Sequence, residues 1–297
     1  MSGKLKEVKT RIGSVKNTQK ITKAMKLVAA SKFKKAIDAI GQMRPYSDKL
    51  LEMLQNIVAA TEGEIKLDLA EQRAEINNVL VIVLTSDKGL CGSYNANLIK
   101  QAKQLVKDYS NTNTNVSVMT IGKKGNDVFK RMKNLTVNDD YVNLFKDLHF
   151  DNVLEAINGV MDAYRAGEYD KVHVVYSHFV NAVTQDFNSV QFLPIEKIEP
   201  KIKEGEEKAA GVDYIFEPEK NELIQELAPK ILKTQFYSYL LDNNASEHGA
   251  RMTAMENATE NANELLKDLQ ITYNKERQAA ITKELIEIVS GAAALGN

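Results

Sequence analysis

The chain has 297 residues, and its 39 Lys and Arg against 40 Asp and Glu leave a formal charge of −1, so bulk charge selects no partner. Residues 1–50, however, hold thirteen Lys and Arg against three acidic residues, and the rest of the chain is correspondingly acidic. No uncharged run exceeds fourteen residues, the length of Val172 to Gln185, short of the roughly 18 that span a bilayer, so an integral membrane protein is not expected.

Fifteen Gly and five Pro are few for this length, against roughly 12% for the two together in an average chain. So few punctuators leave room for long helices. The opening MSGKLKEVK lacks the apolar stretch of a secretory signal. The single cysteine, Cys91, permits neither an internal disulfide nor a cysteine-based zinc site.

Residues 4–60 contain no strand or turn cluster. Alternating steps of three and four from Leu5 reach Val8, Ile12, Val15, Gln19, Thr22, Lys26, Ala29, Phe33, Ala36, Ile40 and Met43, a heptad seam apolar at nine of twelve positions. Such a helix is about 85 Å long, with room for a kink near Pro45. Val79–Thr85 (VLVIVLT) is an unbroken apolar, β-branched run, the pattern of a strand covered on both faces. The loop SDKGLCGS and a helix over Asn95–Tyr109 follow. A strand over Val116–Ile121, a helix over Asn126–Met132, a helix over Asp151–Tyr164 and a strand over Lys171–Phe179 come next. Gln185–Leu193 alternates and could hairpin with the strand before it. The β-α-β order predicts a mostly parallel sheet between helices. Glu196–Val212 is charged and poor in apolar residues, as a solvated loop would be.

From about Glu219 to Ala293 the pattern is helical again. From His248 the seam passes through Met252, Met255, Thr259, Ala262, Leu266, Leu269 and Tyr273 without a slip. Neither end helix can bury its stripe alone, and the economical solution is that they bury each other as an antiparallel coiled coil. The expected fold class is therefore α/β plus coiled coil. Residues 1–60 and 219–297 would form the shaft, 76–195 an α/β domain, and 196–218 a charged loop and foot segment.

Residues that could carry chemistry are scattered. The loop Ser86–Ser93 follows a buried strand but lacks the phosphate-loop pattern, and no G-x-G-x-x-G occurs; a tight turn needing Gly at special backbone angles explains it. Cys91 has no evident base beside it and suits a buried or turn position. His173 and His178 are five apart on one strand, hence on opposite faces, and cannot share a metal. His149 stands alone, and His248 lies on the seam. No catalytic constellation is present, and neither a catalytic role nor a cofactor is expected.

Surface left over after pairing is more informative. Where the first seam turns polar, at Gln19, Thr22 and Lys26, a second stripe of Ile21, Met25 and Val28 points elsewhere amid lysines 16, 20, 23, 32, 34 and 35. A helix that is basic and apolar away from its own seam suits a partner with acidic and apolar groups. Nucleic acid fits less well, because the first aromatic residue is Phe33, no arginine lies between Arg11 and Arg44, and no recognition motif occurs. A membrane surface is a further rival, but the stripe is narrow and no bulky aromatic anchors it. The far end, Ile281–Asn297, finishes a helix with apolar Ile286, Ile288, Val289 and Leu295, where free ends are ordinarily polar. That suggests a hydrophobic socket on another protein.

Three stretches, Ile12 to Lys32 (IGSVKNTQKITKAMKLVAASK), Thr85 to Asn95 (TSDKGLCGSYN) and Ser246 to Leu295, closely resemble the gamma subunits of rotary F-type ATP synthases. The resemblance covers nearly the whole chain and is weaker over 123–215. It implies a central shaft inside a ring of three alpha and three beta subunits. A Rossmann-like middle would lie on the membrane side, against epsilon and the proteolipid ring. It implies no nucleotide bound by the shaft itself, contact with the membrane only through the complex, and proton flow as the coupled process. By position, Met25 with Lys23 and Lys26 would meet an acidic loop of beta. Arg251, Arg277, Gln278 and Thr282 would form a polar catch on the upper beta domains, and Ile288, Val289 and Leu295 would turn in an apolar sleeve. Tyr214 and Glu217 would form the foot on epsilon and the proteolipid ring. With Cys91 alone, the paired-thiol switch of chloroplast relatives is not expected. The lack of a presequence and of the photosynthetic insertion favours a non-photosynthetic bacterium, and so the cytoplasmic face of its inner membrane, with a processed organellar protein as the alternative. The competing readings are a non-rotary coiled-coil adaptor with an α/β head, and an enzyme using the Asp87–Gly92 loop.

Overall fold

In the computed structural model, residues 3–60, 68–73, 75–133, 135–195 and 220–295 are described. The elements in chain order are α1 (Gly3–Ala60), β1 (Asn78–Leu84), α2 (Tyr94–Ser110), β2 (Asn115–Ile121), α3 (Lys123–Phe129), β3 (Thr136–Asn138), a short 3-10 turn (Leu144–Lys146), α4 (Phe150–Ala166), β4 (Lys171–Phe179), β5 (Gln185–Leu193) and α5 (Lys220–Leu295). Two compact units result, Met1–Ala30 with Arg251–Asn297, and Ser31–Ala250. The stretches of α1 and α5 nearest the sheet thus group with the sheet.

The larger unit is built on a five-stranded sheet in the order β3-β2-β1-β4-β5. β1 pairs in parallel with β2 and β4, β2 pairs in parallel with β3, and β5 returns antiparallel on β4. The apolar run of β1 is buried at six of its seven positions, because helices cover both faces. On one face Leu80, Ile82, Leu84, Val172 and Val174 pack with Ile157 and Met161 of α4 and with Leu232, Phe236 and Leu240 of α5. On the other, Val79, Val81, Val83 and Val175 pack with Leu98, Ala102 and Val106 of α2 and Phe129 of α3. Each fully buried large side chain of this kind contributes about 1.5–3 kcal/mol. Beyond the sheet, Ala36 and Ile40 of α1 meet Leu241 and Ala245 of α5, with Phe179 against them.

Two local features differ from the sequence reading. α3 starts three residues earlier than expected, directly after Gly122, whose φ of 101° turns the chain sharply out of β2. A Cβ there would lie 2.0 Å from the Thr85 carbonyl oxygen, so only glycine permits that turn. β3, three residues long, was too short to show a period. The hairpin of β4 and β5 matches its expected bounds and carries a bulge between Val172 and His173.

In the smaller unit the terminal parts of α1 and α5 run in opposite directions. Thr22 faces Thr259 through a 2.7 Å hydroxyl–hydroxyl bond. Four residues further along α1, Lys26 reaches Glu256 at 2.5 Å. Three residues earlier, the Gln19 amide donates to Asn263. None of the twelve seam positions predicted on α1 is exposed, nor is any of the eight predicted on α5. The polar interruption of the seam is thus met by polar residues opposite, which satisfies side chains that burial would otherwise penalise.

Candidate functional site

The candidate surfaces lie where each helix has more apolar or basic surface than its partner covers. On α1, Ile21, Leu27 and Val28 are 59%, 65% and 60% exposed, while Met25 is half-buried and Lys23 exposed. Leu27 is a contributor that the sequence reading missed; its position off both stripes concealed it. Lys26 is half-buried, with its ammonium on Glu256 of its own chain rather than turned outward. Both partners keep over a third of their side-chain surface in solvent, so the pair is worth about 0–1 kcal/mol and is readily exchanged for another carboxylate.

On α5, Arg277, Gln278 and Thr282 are exposed, and the Thr282 hydroxyl donates back to the Gln278 carbonyl at 3.0 Å. Arg251 differs from them. It is only 8% exposed and engaged within the chain, so its guanidinium is not presented as the other three side chains are.

The register set by Thr22–Thr259 and Lys26–Glu256 brings the start of α1 level with α5 residues just short of 280. From Ile281 to Ala292 every residue of α5 is exposed. Ile281 (49%), Leu285 (56%), Ile288 (67%) and Val289 (66%) share one face by their spacing, and Ile286 (60%) lies beside them. Leu295 ends the helix, but its side chain lies outside the described residues, as do Tyr214, Glu217 and the expected loop and foot segment 196–218.

The loop after β1 is tied inward. The Ser86 hydroxyl donates to the Lys88 carbonyl at 2.6 Å, Asn95 accepts from the Ser86 amide at 3.0 Å, and its own amide donates to the buried Cys91 sulfur at 3.2 Å. Its left-handed residues are Gly92, as expected of a glycine, and Leu90, which no sequence rule flags. His173 bonds the Tyr109 hydroxyl at 2.8 Å and His178 bonds Asp242 at 2.5 Å, so the two have separate partners on different helices. Among the described residues no group of three or more His, Cys, Asp or Glu could hold a metal, and no helix is long and apolar enough to cross a membrane.

Comparisons agree with this arrangement. Residues 4–295 match the family model described as ATP synthase. The ATP synthase gamma chain of Cytophaga hutchinsonii is 50% identical over 296 residues, covering 99% of each chain, and that of Flavobacterium psychrophilum is 50% identical over 98% of each. Among solved structures, a chain of the Tetrahymena thermophila mitochondrial ATP synthase central stalk and c-ring is 26% identical with a TM-score of 0.54, over 80% of this chain and 99% of that one. A chain of the Euglena gracilis mitochondrial ATP synthase OSCP/F1/c-ring assembly has the same fold at 18% identity, with a TM-score of 0.65 over 99% and 95%. A mixed α/β sheet between long terminal helices, matched over nearly its full length by gamma chains, places this chain in the ATP synthase gamma chain family.

Proposed function

We propose that this gamma chain, the central rotor shaft of an F-type ATP synthase, works as an antiparallel coiled-coil axle whose uncovered faces are read by the surrounding subunits. The α/β unit is Rossmann-like in strand order and carries no catalytic role of its own. The partners are the alpha, beta and epsilon subunits and the proteolipid ring, and the chain lies at the cytoplasmic face of a bacterial inner membrane, peripheral to it. A single shaft inside a threefold ring presents a different face to each beta subunit. Each catalytic site is therefore biased differently, and rotation exchanges the biases. Lys23 and Met25 with the exchangeable Lys26, together with Arg277, Gln278 and Thr282, supply moderate and renewable contacts; buried Arg251 supports the shaft from within.

The observation that carries this reading is the overhang of α5. Covering Ile281, Leu285, Ile286, Ile288 and Val289 in a socket yields at most about 6 kcal/mol, taking about 2 kcal/mol per side chain scaled by its exposure. Such a stripe, left uncovered among the described residues, belongs against another protein. Co-expression with alpha and beta should give one copy of this chain to three of each. A chain ending at Ala280 should form less of that complex or transmit less torque in it. Full assembly and torque from the shortened chain would remove the socket.

A further inference from the structure

Where the strand order of an open α/β sheet reverses, the crevice beyond the strand ends is the usual seat of a ligand. Here that reversal lies between β1 and β4, and the crevice is filled by the chain's own α5. The Asn243 side-chain oxygen accepts from the Tyr94 hydroxyl at 2.7 Å and from the Ser177 amide at 3.2 Å. Tyr94 opens α2, the helix after β1, and Ser177 is near the end of β4. Beside it, His178 of β4 is bonded to Asp242, and one turn on Ser246 donates to the Ser177 carbonyl at 3.4 Å. Asn243, Ser177 and Ser246 are each 0% exposed and Tyr94 is 1%. At Gly249 the backbone comes so near the β4–β5 turn that a Cβ would be 3.2 Å from the Ala182 Cα.

α5 also packs on this unit through apolar Leu232, Phe236, Leu240 and Leu241. Apolar burial is non-directional and opposes separation far more than rotation or sliding. Hydrogen bonds weaken steeply once misaligned. A turn of α5 by a single residue, about 100°, would carry the Asn243 side-chain oxygen away from both donors and displace the backbone carbonyl of the same residue, the other acceptor of the Tyr94 hydroxyl at 2.9 Å, at the cost of buried donors left unpaired.

We propose that Asn243, flanked by Asp242 and Ser246, is a positioning residue for coupling. It locks the rotational register of α5 on the sheet, so that torque applied to the sheet passes into the helix without slip. The proposal rests on the rotor reading and deepens it. α5 is helical from Lys220 to Leu295.

The test uses the whole ATP synthase carrying this chain, reconstituted into vesicles, with ATP hydrolysis and ATP-driven proton pumping measured on the same preparation. Asn243→Leu keeps the side-chain size and removes the side-chain acceptor, which takes this partner from the Ser177 amide and leaves the Tyr94 hydroxyl only the backbone carbonyl of residue 243 at 2.9 Å; pumping per ATP hydrolysed should fall about twofold or more, the scale of one hydrogen bond lost. Tyr94→Phe removes one donor and keeps the ring on Phe187, so it should assemble normally and show a smaller fall in the same ratio. A purely structural role would lower yield and melting temperature but leave pumping per ATP unchanged in the complexes that form, and that result overturns the proposal. If Asn243→Leu does not assemble, an unchanged ratio in Tyr94→Phe overturns it alone. Failure of the unmodified chain to join three alpha and three beta subunits would instead count against the rotor reading.

Discussion

His173 provides a measurable link between the packing of the sheet and acid stability. It is 9% exposed beneath α2 and bonded to the Tyr109 hydroxyl. Burial, aided by the charge of Lys171 and only partly opposed by the Val190 carbonyl, pushes its pKa down from 6.5 to about 4. The folded ring therefore stays neutral between about pH 4 and 6.5, the range in which an unfolded histidine takes up its proton. The depressed folded value means stability is fully present above pH 6.5 and is lost as pH falls towards 4. At about 1.4 kcal/mol per unit the whole loss is about 3 kcal/mol, of which about 2 kcal/mol is gone by pH 5. His173→Phe retains the ring and abolishes the titration. It should cost about 1 kcal/mol at pH 7.5 through the lost hydrogen bond, yet be the more stable form at pH 5. Urea unfolding of the purified chain followed by circular dichroism at pH 7.5, 6 and 5 would show the two curves crossing. If wild type and variant lose stability in parallel, buried neutral His173 is not the acid-sensitive element.

Two further predictions concern single positions. Met25→Lys adds a cation beside Lys23 on the uncovered face of α1; in vesicles it should lower proton pumping per ATP more than it lowers assembly, and unchanged pumping would remove this position from the contact. Gly122→Ala forces a methyl against the Thr85 carbonyl at a φ of 101° and should cost about 3 kcal/mol or more. A melting temperature equal to wild type would contradict the tight turn.

The parts of the fold visible in the residues are those with a long period or a full apolar run. VLVIVLT announces a strand buried on both faces, and the heptad positions of α1 and α5 are covered as their spacing demands. What escaped depends on contacts between distant residues. Gln19, Thr22 and Lys26 appear as a polar lapse in one helix; only the antiparallel register shows Asn263, Thr259 and Glu256 waiting opposite. Arg251 resembles an outward basic residue until the packing around α5 buries it. α3 begins three residues before its expected start because Gly122 and Gly125 let the backbone close against Thr85, a contact with a residue 37 or more positions away that no local pattern shows. Asn243 left no trace in the pattern at all, since one amide in a helix carries no period.

The bond between Thr22 and Thr259 spans 237 residues of chain, and that distance has a consequence for biosynthesis. At about 5–20 residues per second, α1 leaves the ribosome roughly 10–50 s before its counterpart exists. During that interval its apolar stripe has nothing of its own to cover it, while the sheet between can already form. The nascent amino-terminal helix therefore keeps its stripe exposed until the residues that pair with it have been made.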